Sequence, residues 1–215
     1  MAEETKQYVL KARESTFDLI KEVYGPYKQL KSQKKIDIYV RENGKDGQSV
    51  LGVGEIPFSM DKIIAVLLDE KQRKNFDDMM EDGTILKRLE NLTFLIYVTF
   101  KRFLILSPRD FVLCGCLVKF NDGTVILPSY SVDLDETPEN KKYIRAQLHI
   151  GGWILKKIDE NNTLSYYYNR ADMKGNLNST IINSLFRLYP RLCYKAGSFS
   201  SSFAHTETER LYDQN

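Results

Sequence analysis

Residues 94–118 read FLIYVTFKRFLILSPRDFVLCGCLV, and the way this stretch is broken decides the fold. It is almost wholly apolar, yet a transmembrane helix needs about 20 nearly uninterrupted apolar residues. Lys101 and Arg102 fall near its middle, and Ser107-Pro108-Arg109-Asp110 interrupts it again. Two β-rich runs remain, 94–100 and 111–118, joined by a loop carrying Phe103-Leu104-Ile105-Leu106. Connections normally face water. Four large apolar residues in one must pack onto the fold, close over something, or enter something.

Working outward, residues 4–22 have apolar residues near helical spacing (Val9, Ala12, Phe17, Ile20), and Gly25-Pro26 ends that helix. Strands are predicted over 36–40 and 49–56 around an Asn43-Gly44 and Asp46-Gly47 turn. Ser59 is placed to cap a helix over 60–69, and a second short helix is predicted over 70–80. Strands follow at 84–90, 93–100, 111–120, 124–132, 142–156 and 163–172, separated by turn signals such as Asn121-Asp122-Gly123. Short turns between consecutive strands imply an antiparallel sheet. After Gly175 the period changes. Ile181, Leu185, Leu188, Leu192, Ala196, Phe199 and Phe203 form one stripe on a long amphipathic helix, with Pro190 inside it. The expected class is α+β: an antiparallel sheet with a long C-terminal amphipathic helix laid across it.

Composition narrows the function. The chain has 215 residues, a formal net charge of +2, 42% hydrophobic residues and three cysteines. This is the make-up of a globular protein, read as a single domain over 1–215 because no Pro/Gly/Ser-rich linker divides it. The charge balance makes no case for nucleic acid. The polar start, MAEETKQYVLKARE, has no apolar core for a signal peptide, so a cytoplasmic setting is expected. Cys114, Cys116 and Cys193 do not make a disulfide framework. Cys114 and Cys116 share a strand face and read as small buried residues rather than metal ligands. Two histidines and the absence of a G-x-S-x-G elbow speak against an enzyme, and no cofactor is expected.

Several local motifs together carry a resemblance. They are Ser107-Pro108-Arg109-Asp110-Phe111-Val112, Ile144-Arg145-Ala146 leading to Gly152-Trp153-Ile154, and Tyr167-Tyr168-Asn169-Arg170-Ala171-Asp172-Met173-Lys174-Gly175. With the element order, they resemble the START domain, the lipid-transfer domain related to the steroidogenic acute regulatory protein. The similarity spans essentially the whole chain. Arg73-Lys74-Asn75-Phe76-Asp77 is most similar to the phosphatidylcholine transfer protein branch, which has an Arg and an Asp four apart near the lipid phosphate. The resemblance implies a helix-grip fold: a curved antiparallel sheet of about nine strands around a tunnel for one lipid, covered by the long C-terminal helix. It also implies a lid made of a loop at about 101–109 and a helix at about 178–204.

Each candidate residue has an ordinary reading beside the functional one. Arg73 and Asp77, at i and i+4, share a helix side. By spacing alone they are a solvated pair worth about 0–1 kcal/mol; by resemblance Arg73 holds a lipid phosphate and Asp77 positions it. Arg109 and Asp110 are expected to form a charge pair at the loop base. Phe111 stands where phosphatidylcholine-binding relatives have a choline-caging Tyr, and it keeps a π face for a quaternary ammonium. Val98, or Tyr97 after a one-residue slip, falls where a Trp is expected, and His149 near the place of another Tyr. Trp153 reads as core packing that also meets the tunnel wall, with Gly151-Gly152 before it suggesting a bulge or a close backbone approach. Tyr167 lies on one strand face and Tyr166 and Tyr168 on the other. Ile181, Leu185 and Leu188 are core or tunnel roof.

The expected function is a monomeric carrier that exchanges one phospholipid between membranes. Lys101, Arg102, Phe103, Leu104, Ile105 and Leu106 would touch the bilayer transiently. A sterol or ceramide carrier, a lipid-sensing adaptor and an enzyme of the wider superfamily are the competing readings.

Overall fold

A computed structural model of the chain describes residues 3–33, 36–43, 48–69, 74, 77–103 and 106–175. The predicted stripe from Ile181 to Phe203 lies outside the described residues, as do Arg73, Leu104 and Ile105. The chain opens with helix α1 (Glu3–Val23), then strands β1 (Lys28–Gln33), β2 (Ile36–Glu42) and β3 (Gln48–Ile56), and helix α2 (Met60–Leu68). Next come β4 (Met80–Leu89), β5 (Thr93–Phe100), β6 (Arg109–Cys116), β7 (Val118–Lys119) and β8 (Val125–Ser131). The last strands are β9 (Ile144–Arg145), β10 (Gln147–Lys157) and β11 (Thr163–Asp172).

Nine of these strands form one curved sheet in the order β1-β2-β3-β11-β10-β8-β6-β5-β4, while β7 pairs with β8 and β9 with β6. Its neighbours run antiparallel, as the short turns require, except that β9 lies parallel to β6 at Arg109↔Ile144 and Asp110↔Arg145. The predicted strand over 142–156 is therefore two strands with different partners, divided at Ala146.

The two faces of the sheet are occupied differently. α1 lies across the outer face, burying Val9, Ala12, Leu19 and Val23. Glu3 and Glu4 in its first turn and Lys21 in its last complement the helix dipole. Leu19 and Val23 meet Leu51, Ile126, Ile154 and Tyr168, and Ala12 meets Cys114, Cys116 and Tyr130. On the inner face α2 buries Ile63, Ile64 and Val66 against Ile36, Ile56, Trp153, Leu155 and Tyr167. Ser59 holds the N-cap position with extended backbone, but its hydroxyl makes no capping bond.

Three expectations need correction. β1, KQLKSQ, is polar and gives no alternating apolar signal, which an edge strand does not require. The helix predicted over 70–80 does not reach its C-terminal end: Asp77 turns the chain, accepting Met79 N–H on Oδ1 at 3.1 Å and Met80 N–H on its carbonyl at 3.0 Å. β4 consequently begins at Met80 instead of residue 84. Gly83 lies within the strand beside the Met80 methyl; a Cβ there would stand 2.2 Å from Met80 Cε.

Candidate functional site

A cavity opens between α2 and the inner face of the sheet. The space it holds for water-sized molecules is about 120 Å³. Alternation along the strands selects its wall. Phe94, Ile96, Val98 and Phe100 come from β5, Phe111, Leu113 and Gly115 from β6, Leu127 and Ser129 from β8, Leu148, Gly151 and Trp153 from β10, and Tyr167 and Asn169 from β11. Leu67 and Leu68 from α2 close it on another side. A smaller recess shares Phe94, Ile96 and Val98 and reaches Met80 and Ile85. No large polar cluster interrupts this lining, so its chemistry is that of a hydrocarbon container with a few polar groups at fixed places.

Asp77 is one of those groups: only 3% exposed, it lies on the wall. Phe111 is another predicted residue on the wall, its ring edge-on to Phe100 at 5.7 Å and 86°. Trp153 and Tyr167 meet at 4.7 Å between ring centroids, and both line the cavity. This settles which side of β11 faces inward: Tyr167 does, while Tyr168 is buried under α1 and Tyr166 packs against Tyr24 at 5.9 Å.

Two predicted residues are placed elsewhere. Register puts Val98, not Tyr97, on the wall. Tyr97 points to the other face and donates to Asp110 Oδ2 at 2.9 Å. Burial, then that hydrogen bond, pushes its pKa up to about 12. His149 sits where the β10–β11 register shifts between Leu148 and Ile150 and is not part of the lining. The bulge expected at Gly151-Gly152 falls at His149, whereas Gly152 provides the close backbone approach. With φ +144, a Cβ on it would stand 2.0 Å from the Leu127 carbonyl oxygen.

The loop base is also built differently from expectation. Arg109 and Asp110 do not pair, because neighbours on a strand face opposite ways. Asp110 is gripped by Arg145, Nε to Oδ1 at 3.1 Å and an Nη to Oδ2 at 3.0 Å. Arg145 also reaches the Thr137 and Pro138 carbonyls. Arg109 donates to the carbonyls of Ser107, Met173 (3.1 Å) and Lys174 (3.2 Å). Burial lowers its pKa, and among the described residues no carboxylate forms an ion pair with it. One guanidinium thus ties the base of the 101–109 loop to the chain leaving β11. Within that loop Phe103 and Leu106 bond each other's backbones at 3.2 and 2.8 Å. Leu106 is buried at 5% exposure and Phe103 half-buried, so Leu106 packs onto the fold rather than facing outward. Lys101 and Arg102 are exposed.

Among the described residues no group of three or more His, Cys, Asp or Glu could hold a metal, and no helix is long and apolar enough to cross a membrane. Cys114 and Cys116 are buried beneath α1, Cys116 Sγ lying 3.2 Å from the Ala12 carbonyl.

The START domain family matches residues 2–189. The chain belongs to the START domain family. Human StAR-related lipid transfer protein 6 is 27% identical over 187 residues, covering 85% of this chain and 81% of that protein. The fold is similar to human StAR-related lipid transfer protein 5, with TM-score 0.82 and 16% identity over 90% of this chain and 97% of that one. Human STARD10 is similar at TM-score 0.78 and 19% identity, over 93% of this chain and 84% of that one. These likenesses establish the helix-grip fold. The sequence signals that carried the START resemblance did not point to Ser129, Gly151 or Asn169 as wall residues, because cross-strand register is not written in a single strand.

Proposed function

We propose that this START domain is an intracellular carrier that takes one phospholipid from a membrane, encloses its acyl chains in the cavity and releases it at another membrane without a chemical step. One observation carries the reading: an apolar cavity walled by five strands and α2 has a nearly fully buried carboxylate, Asp77, on its wall. This carboxylate already accepts the Met79 N–H, and a negative charge kept from water is further stabilised by a cation beside it. Arg73, four residues earlier in the chain, is the proposed partner and the proposed ligand of the lipid phosphate, as in the phosphatidylcholine transfer protein branch. The apolar wall replaces the bilayer interior for chains whose exposure to water costs about 0.8 kcal/mol per CH₂. The names of the human relatives, which describe lipid transfer proteins, support carriage of a lipid.

The 101–109 loop would touch the bilayer through Leu104 and Ile105, between Phe103 and Leu106, with Lys101 and Arg102 beside them for lipid phosphates. The test is transfer of labelled phosphatidylcholine between donor and acceptor vesicles by the purified protein. Transfer that falls strongly in Arg73→Ala, with the thermal unfolding midpoint unchanged, is the expected result. Absence of transfer for every phospholipid, with a sterol transferred instead, overturns the choice of ligand.

A further inference from the structure

Strand register lines up four cavity residues in one transverse row. Gly115 on β6 faces Ser129 on β8, Ser129 faces Gly151 on β10, and Gly151 faces Asn169 on β11. All four line the cavity. The row lies mid-wall: Leu127, Trp153 and Tyr167 form the next in-register row on one side, and Phe111 and Leu113 lie on the other. It differs from both neighbours in bulk and in polarity.

The glycines keep the row low. A Cβ on Gly115 would meet the Pro128 carbonyl oxygen at 3.0 Å, and one on Gly151 would meet Leu148 Cδ1 at 3.1 Å and the Tyr168 carbonyl oxygen at 3.2 Å. Between them stand two hydrogen-bonding side chains, about 10 Å apart at the usual strand spacing. The Ser129 hydroxyl has only a long contact to the Gly151 carbonyl, 3.5 Å. The Asn169 amide makes no hydrogen bond among the described residues. A polar side chain facing an apolar cavity without a partner is costly, so such a pair is better satisfied by what the cavity holds.

The geometry points to a subsite for the acyl carbonyls of the ligand at Ser129 and Asn169, with Gly151 the notch between them. This rests on the phospholipid reading above and adds to it the part of the lipid that is recognised inside the wall. The two side chains offer an O–H and an NH₂. The row has no cation, so a neutral acceptor fits it and a phosphate does not. Its apolar borders on both sides suit a carbonyl flanked by hydrocarbon. Such a group occurs as the ester of a glycerophospholipid and as the amide of a sphingolipid. A phospholipid with ether-linked chains has the same headgroup and length but no carbonyl. A site built to hydrogen-bond a group rejects the analogue that lacks it.

The experiment loads the purified full chain from vesicles containing equal amounts of diester phosphatidylcholine, diether phosphatidylcholine of the same chain length, and sphingomyelin, all with the phosphocholine headgroup. Bound lipid is quantified by mass spectrometry. The wild type is expected to favour a carbonyl lipid over the diether on the order of tenfold. The sphingomyelin arm distinguishes amide from ester. Asn169→Leu should reduce that preference to about twofold or less, and Ser129→Ala, the smaller change, to an intermediate value. Trp153 fluorescence and the unfolding midpoint check that both variants fold. Equal loading of diester and diether by the wild type, or an unchanged preference in both variants, overturns the subsite while leaving phospholipid carriage intact. If none of the three lipids is loaded, phospholipid carriage itself fails, and the subsite with it.

Discussion

Asp110 and Arg145 face each other across the two-residue parallel ladder of β6 and β9, joined by two hydrogen bonds of 3.1 and 3.0 Å. The carboxylate is fully buried and the guanidinium about one-fifth exposed. The pair adds to the two backbone bonds that hold β9, Ile144 N–H to the Pro108 carbonyl and Ala146 N–H to the Asp110 carbonyl, both 3.0 Å. Removing one partner of such a pair leaves the other charge stranded. Asp110→Asn should therefore lower unfolding free energy by about 2–4 kcal/mol, slightly below the range for fully buried pairs. Arg145→Met should cost a similar amount, and the double variant less than the sum of the two. Urea unfolding of the three proteins measures this, and strict additivity would mean that the two residues are not coupled.

Trp153 is the only tryptophan in the chain, and it lines the cavity in contact with Tyr167. Its fluorescence is a direct report on what the cavity holds. Loading with a phospholipid whose acyl chains carry bromine should quench it, and the same lipid without bromine should not. Equal emission from the two loaded forms would place the chains elsewhere.

Gly152 and Gly123 separate two costs of a side chain at positive φ. At Gly123, φ +81, nothing lies within 4 Å of the missing Cβ, so Gly123→Ala should cost only the conformational term, about 1–2 kcal/mol. At Gly152, φ +144, the added carbon collides with the Leu127 carbonyl. Gly152→Ala should cost at least about 2 kcal/mol more than Gly123→Ala, because β8 and β10 must part to admit it. Thermal unfolding of the two variants side by side checks the order.

Burial pushes the thiol of Cys114 up to about 11. Burial, then the neighbouring Cys114, pushes that of Cys116 up to about 12. Since the thiolate is the reactive form, both should resist a disulfide reagent at pH 8 in a Cys193→Ser background until the protein unfolds. The linkage has a definite sign. A raised folded-state pKa favours the protonated thiol, so this contribution is fully present below the ordinary thiol pKa of about 8.5–9. It is lost as pH rises toward 11 and 12. A Cys114→Ala, Cys116→Ala pair should flatten the fall in stability between pH 9 and 11, and an unchanged slope would assign that fall to other groups.

The parts of the fold that were legible in the sequence were those with a strong period or punctuation. α1 shows its buried face in Val9 and Ala12, and the segment 94–118 divides at the predicted place because Lys101, Arg102 and Ser107-Pro108 cannot continue a buried strand. β1 was not legible because an edge strand buries little, so selection on its apolar pattern is weak. β4 starts before the predicted residue 84 because the chain turns at Asp77, which frees Met80, Asp82 and Gly83 to pair with β5. At the site, the START resemblance pointed to Asp77 and Phe111, and residue type to Trp153, while the face occupied by Tyr167 was open until register was known. Tyr97 was misplaced because a one-residue change of register exchanges the faces of a strand. Arg109 was paired with Asp110 because adjacency in sequence suggests contact, whereas alternation sends the two side chains to opposite faces. Ser129 and Asn169 gain meaning only once three strands are set side by side.

Among the described residues the sheet ends at β1 on one side and β4 on the other. Such margins invite other chains to add strands and polymerise. β4 meets this hazard with two register shifts, between Met80 and Asp82 and between Ile85 and Lys87, which break the regular row of donors and acceptors an intruding strand would need. Lys87 and Arg88 add charge along the same margin. Two bulges in one margin strand are a device against edge-to-edge association, and straightening β4 would be expected to trade solubility for regular hydrogen bonding.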